Sequence, residues 1–486
     1  MRDPRPLKAA LSLLLSALAA LGGLAPALAG EPPPEGTAPP TETALPAPPT
    51  DAPAEPPPAP SAAPKPAPIG DELPPFTPLP GPAKPPPKPI PPPAPKPGPL
   101  PSGTLVLPPP GAPQVTGPVT PAAPAQGNGL SPRLAIGGYI ETAYTYAFEK
   151  PSNGILNYRG FDNRHNTFTI QNVVLDATGS LGDFSARIAL QVGQTPDTYY
   201  LTEPRQAGAD GAPSATPEAF RHVQQAILTW KAPVLRGLDL SAGIFLSPVG
   251  LEVLQAKDDW NFSRSNLFFG LPYYHTGIRA SLPVTDRLTL MTMICNGWNS
   301  VVDNNDDKSL ITQATYVIPD RLQAGVLYMG GAERGKAAPE GRPWRHTFDV
   351  WAQVDVTSRI AFAAHADAGL ERNQFGTSTW GAFAIYGRVK ALDWLSFAGR
   401  VDRFAENTPG EASPIFFPAS WVSGTTVTAE LRPIDHLLAR VEYRHDQAAK
   451  AMYFEGEVSG NGSSAKPYLA NAKAQNTITL AAIGWF

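Results

Sequence analysis

Charged side chains in this sequence recur at every second position inside otherwise apolar runs. Arg187 lies in the run 184–192, His365 and Asp367 in 359–370, Arg388 and Lys390 in 379–391, and Arg400 and Asp402 in 394–404. Arg440, Glu442 and Arg444 share 437–446. Successive strand residues point to opposite faces, so each run has one apolar face and one carrying these charges. Basic and acidic groups facing one another across water set up a transverse field that sorts solutes by charge and size. The same groups also suit ion pairs between neighbouring strands that stabilise a wall, and both readings need a hydrated interior. A second cluster lies between Ser247 and His275. There Glu252, Lys257, Asp258, Asp259 and Arg264 are mixed with Trp260, Phe262, Phe268, Phe269, Tyr273 and Tyr274. Folded inward, such a loop makes a constriction with Glu252, Asp258, Asp259 and Arg264 as its polar groups. Folded outward, it is a lid.

Other chemistries find little support. The histidines at 165, 222, 275, 346, 365, 436 and 445 show no His-Glu-x-x-His or other metal spacing. Asp303-Asn304-Asn305-Asp306-Asp307 lacks the glycine and glutamate of a calcium loop and reads as a solvated turn. No Gly-x-Ser-x-Gly elbow occurs. Cys295 is the only cysteine, which excludes an intrachain disulfide and reads as a small buried residue. No cofactor or metal is expected, and no catalytic residue is assigned. The net charge of -4 argues against a nucleic-acid binder.

The elements that must carry these residues are strands. Sixteen alternating runs are predicted: 134–148, 166–179, 184–192, 222–230, 238–246, 276–284, 287–295, 310–318, 321–329, 345–356, 359–370, 379–391, 394–404, 421–432, 437–446 and 475–486. Connections after odd-numbered strands are long. Those after even-numbered strands are short and rich in turn formers, as in Thr285-Asp286, Pro319-Asp320 and Leu392-Asp393. Short turns at one end and long loops at the other mark a membrane barrel with periplasmic turns and external loops. A soluble β-sandwich would also alternate, but it would not sort its loops by parity. Sixteen strands imply a lumen wide enough for water.

The first 130 residues are of another kind. Arg2, Arg5 and Lys8 precede an apolar stretch from Ala9 to Leu24, and Ala27-Leu28-Ala29 fits a cleavage site, so 1–29 reads as a signal peptide. Of the 60 prolines in the 486-residue chain, a count along the sequence puts about two-thirds between Glu31 and Gly127. Residues 30–129 therefore read as a disordered, proline-rich periplasmic linker, either a spacer or a tether whose lysines meet the anionic cell wall. Residues 130–486 are left for the barrel.

The sequence closes on Ile478, Leu480, Ala482, Gly484 and Phe486, alternating with Thr477, Thr479, Ala481, Ile483 and Trp485. A terminal aromatic closing such a strand resembles the C-terminal signal, here Phe486, read by the barrel-assembly machinery. Several segments resemble the putative β-barrel porin 2 (OmpL-like) family of bacterial outer-membrane proteins. They are Gly138-Tyr139 with Tyr144; Asn157-Tyr158-Arg159-Gly160-Phe161-Asp162 with Asn166-Thr167-Phe168-Thr169; Asn296-Gly297-Trp298-Asn299 with Asp303-Asn304-Asn305; and Leu431-Arg432-Pro433 through Arg440-Val441-Glu442-Tyr443-Arg444-His445-Asp446. The resemblance covers about Leu134 to Phe486 and implies no catalytic residues.

The reading is thus all-β: a transmembrane antiparallel barrel of about 16 strands in a Gram-negative outer membrane. It would act as a porin passing small hydrophilic solutes or ions by passive diffusion. Its expected partners are outer-membrane lipid and lipopolysaccharide, the assembly machinery, peptidoglycan through the arm, and two further copies in a homotrimer. The alternatives are a structural barrel tethered to the cell wall and, behind it, a lipase-type outer-membrane enzyme.

Overall fold

The computed structural model describes residues 132–200 and 220–486. The signal peptide and proline-rich linker expected from the sequence lie outside the described residues.

Sixteen strands form one closed antiparallel barrel. They are β1 (Arg133–Ala147), β2 (Thr167–Leu181), β3 (Phe184–Val192), β4 (Val223–Ala232), β5 (Leu238–Leu246), β6 (Tyr274–Pro283), β7 (Leu288–Cys295), β8 (Ser309–Ile318), β9 (Leu322–Ala332), β10 (Trp344–Asp355), β11 (Ile360–Asn373), β12 (Gly376–Leu392), β13 (Leu395–Asn407), β14 (Trp421–Ile434), β15 (Leu437–Ala448) and β16 (Ala474–Trp485). Each pairs with its chain neighbours, and β1 closes the ring against β16. Among the described residues two short helices, α1 (Gln194–Tyr199) and α2 (Asn266–Phe269), lie in the connections. Every run expected from period-two alternation is a strand.

Loop parity holds with one correction. The connection after β11, expected to be long at 371–378, is a tight hairpin, because Asn373 pairs with Gly376. Glu371, Arg372, Thr377 and Ser378 interrupt the apolar alternation but continue the ladder. Pairing needs only backbone groups, so strands run on past the apolar band where alternation stops.

Alternation sorts the side chains. Leu134, Ile188, Leu228, Ile278, Phe362 and Val427 point outward and are exposed, as a lipid-facing band requires. The buried core lies inside the ring, where Met291, Met293, Trp351, Tyr386 and Phe404 pack against Val249, Leu251, Trp260, Leu267 and Leu271 of the β5–β6 connection. Closure extends to the last residue: the Phe486 amide donates to the Gly138 carbonyl at 3.1 Å, and Gly138 donates back at 3.3 Å. A Cβ at Gly138 would lie 2.5 Å from the Val174 carbonyl oxygen and 3.1 Å from the Phe486 ring. Only glycine fits that seam.

Candidate functional site

The connection Ser247–Tyr273 enters the barrel and crosses it as a strap. At its neck the Ser247 amide donates to the Tyr273 carbonyl at 2.9 Å. His275 Nδ1 lies 3.0 Å from the Gly297 carbonyl, which can only accept, so Nε2 takes the Ser247 hydroxyl proton in a second bond, also 3.0 Å. The strap then passes β8, where Gln313 donates to the Pro248 carbonyl at 2.9 Å. It touches β11 at Gly250, whose φ of +94° belongs to glycine; a Cβ there would sit 2.6 Å from Leu271 and 3.1 Å from the His365 ring.

Beyond Gly250 the strap is bolted to the far wall. Glu252 accepts from Arg400 Nη1 at 2.8 Å and from the Ser265 amide at 2.9 Å. Ser265 in turn caps α2, accepting from the Phe268 amide at 3.1 Å. Asp402 takes both the amide and the side-chain nitrogen of Asn266 at 2.8 Å. Glu442 accepts from the amides of Phe262 (2.6 Å) and Ser263 (2.9 Å), while Arg440 donates to the Ala256 carbonyl at 2.6 Å. Arg444 donates to the Arg264 carbonyl and to Asp446. On β1, Glu141 accepts from the Ala256 amide at 2.6 Å. Within the strap, Arg264 donates to the carbonyls of Val253 and Leu254 and pairs with Asp259 at 3.1 Å. All these charged groups are buried, and each answers a peptide group or an opposite charge, which is how a charge tolerates leaving water.

The sequence-derived candidates therefore divide. Arg400, Asp402, Arg440, Glu442 and Arg444 converge on the strap. His365, beside Gly250, contacts Asp349, and Asp367 accepts from Trp380 Nε1 at 2.6 Å. Arg187 pairs with Asp176 on the next strand and Lys390 with Asp393 at 3.3 Å, so these two lie along the wall near the short turns. Arg388 stacks on Trp260, its guanidinium carbon 5.3 Å from the ring centroid. Glu252, Asp258, Asp259 and Arg264 all lie in the inward strap. The strap occupies part of the lumen expected from strand number: spaces of about 20 Å³ and 10 Å³ lie against it, and about 10–15 Å³ is needed for one water.

Sequence reasoning missed Glu141, Asp349, Asp446 and the external pair Arg159–Asp446 at 2.9 Å. Asp446 continues the phase of Arg440, Glu442 and Arg444, and Glu141 that of Tyr139 and Ala143. Phase could have found both; their partners could not be read from it.

A family model described as putative beta-barrel porin-2, OmpL-like matches residues 133–486. Among solved structures, the chain is similar to the trimer form of OmpT, an outer-membrane protein of Vibrio cholerae, at 11% identity and TM-score 0.48, over 73% of this chain and 100% of that one. It is similar to an anion-selective porin from Comamonas acidovorans at 9% identity and TM-score 0.47, over 73% and 100%. A third is the outer-membrane channel DcaP of Acinetobacter baumannii, at 12% identity and TM-score 0.46, over 73% and 97%. No curated protein matches the chain.

Proposed function

The chain belongs to the putative β-barrel porin-2, OmpL-like family and is an outer-membrane porin channel, and we propose that it passes small hydrophilic solutes or ions by passive diffusion past the inward strap. The observation that carries this reading is the strap itself: a loop bonded across the lumen from β8 to β15 narrows the passage, with small gaps beside it. Conductance should therefore be well below that of an unobstructed 16-stranded lumen, with passage limited to small solutes.

The test is single-channel recording of the full chain in planar bilayers. Small, discrete, stable steps support it. A folded barrel that never conducts overturns it and favours the structural tether, in which the residues before the barrel hold it to peptidoglycan from the periplasm. Chemical crosslinking in native membranes tests the proposed homotrimer.

We further infer that the barrel does no enzymatic work. The Ser247–His275 contact resembles half of a hydrolase centre, but His275 is buried inside the mouth and its second nitrogen is taken by a peptide carbonyl. A lipid-hydrolysis assay of Ser247→Ala against wild type tests this; activity lost in the variant would restore the enzyme reading.

A further inference from the structure

The outer surface of the barrel carries a charge where lipid is expected. β13 turns Phe397, Val401 and Arg403 outward, all exposed, while Arg400, Asp402 and Phe404 face inward and are buried. Among the described strand residues, alternation turns no other Lys, Arg, Asp or Glu outward except Arg372 at the tip of the β11 hairpin. Arg403 lies near the external end of β13, which closes at Asn407. Its side chain has no ion pair or hydrogen bond among the described residues. The guanidinium rests instead over the Trp421 ring, 4.5 Å from its centroid.

Strand register builds a polar patch around it. Ser423 stands opposite Arg403, and Gln447 opposite Ser423. One row nearer the membrane centre, Thr425 faces His445 and His445 faces Asn476. In that lower row the groups answer one another: His445 and Tyr443 bond the Asn476 side-chain oxygen at 2.9 and 2.8 Å, and Asn476 donates to Glu149 at 2.7 Å. The side chains of Arg403, Ser423 and Gln447 make no hydrogen bond among the described residues. Just above them the Ala449 amide donates to the Trp421 carbonyl at 3.0 Å, and the Ala448 amide to the Lys473 carbonyl at 2.8 Å. These bonds set Lys450 and Lys473 on the same rim, both exposed and without an ion pair among the described residues.

A cation on the lipid side of a barrel needs water or an anion beside it. At the membrane surface the anions are lipid phosphates, and the guanidinium fork matches a phosphate with two bonds. We propose that Arg403, Lys450 and Lys473, with Ser423 and Gln447, bind the phosphorylated headgroup of a lipid in the external leaflet. Its acyl chains run down the apolar surface of Val401 and Val427, and Trp421 marks the headgroup level. Arg403 takes one phosphate by its fork, and the two lysines supply the remaining positive charge. The outward faces of β3 to β7 carry no cation, so the lipid is held on one side of the barrel. The site needs only the folded barrel in its membrane and no conducting lumen.

The test titrates the full-length protein in detergent with diphosphoryl lipid A and counts retained lipid by native mass spectrometry, every variant first being scored for folded barrel by heat-dependent gel mobility. Wild type should retain lipid A, and neither a phosphate-free glycolipid of the same chain length nor inorganic phosphate should displace it. Arg403→Gln should weaken retention at least about fivefold, roughly what one cation at a membrane surface contributes. The double variant Lys450→Gln with Lys473→Gln should weaken it at least as much. Lys336→Gln, which removes an exposed charge paired with Asp306 in another external loop, should change nothing. Undiminished binding by Arg403→Gln would show that the guanidinium only reaches past Trp421 to water, and overturns the site. An equal loss in Lys336→Gln reduces the effect to bulk charge and overturns it as well. So does a wild type that retains no lipid A, or that holds the phosphate-free glycolipid as tightly.

Discussion

Arg400, Arg440 and Arg444 are among the most completely buried side chains of the barrel, and their cost is met by partners at fixed distances. Removing one member of such a set leaves the other charged and buried, which costs about 3–5 kcal/mol. Arg400→Ala should therefore free Glu252 and loosen the strap while leaving the strand ladders intact. We expect larger and noisier single-channel steps with an unchanged folded fraction by gel mobility; quiet, wild-type steps would show that Arg400 does not hold the strap. Gly250→Val should act in the same direction, because its Cβ would strike Leu271 and His365 and its positive φ is strained. In the external loops, burial works to raise the Asp303 carboxyl, but Lys308 and the amides of Asn305 and Asp306 outweigh it and hold the pKa below the ordinary value. A lowered folded pKa contributes stability that is present above the unfolded value of about 3.9 and is lost as pH falls through the folded one. Limited proteolysis of this loop should thus be unchanged between pH 7 and pH 5 and should rise only below about pH 4. In Asp303→Asn that acid step should disappear.

At the scale of elements, the strap and the wall are separable. Each strand owes its place to backbone pairing with two neighbours, a ladder that does not pass through the strap. Replacing residues 253–262 by a short Gly-Ser linker should leave a folded, heat-modifiable barrel whose conductance approaches that of an open lumen of this strand number. A barrel that no longer assembles would show instead that the strap is part of the core on which folding depends. The strands were legible because alternation is a local property: Phe184 to Val192 or Leu437 to Tyr443 shows its two faces without reference to the rest of the chain. The strap was half legible. Its charges and rings marked it as unusual, yet inward and outward courses remained open, because the choice depends on whether Glu442 and Asp402 stand where the amides of Phe262 and Asn266 arrive. The β11–β12 hairpin was misjudged for the reverse reason, since its ladder continues through residues with no apolar period.

At the scale of the whole molecule, closure is the step that removes both sheet edges, and in lipid an unpaired edge cannot persist. Phe486 takes part in that seam through its backbone bonds with Gly138 and its ring beside it. Deleting Phe486 should lower the yield of heat-modifiable barrel in outer membranes several-fold, about what loss of a closing pair implies, without altering the conductance of barrels that do form. Equal yield would remove the residue from assembly. The sequence alone determined a strand number of about sixteen, the two faces of every strand, the inward phase of Arg187, His365, Arg388, Arg400 and Arg440, and the membrane as the solvent these faces require. All of these follow from period-two geometry and from the sorting of long and short connections, which each segment carries within itself. Only the tertiary structure decided that Arg400 answers Glu252, that Arg187 stays with its strand neighbour Asp176, and that the lumen is crossed rather than open. Arg400 and Glu252 stand 148 positions apart, and only closure of the ring sets the distance between them, whereas Arg187 meets Asp176 only 11 positions away across a hairpin.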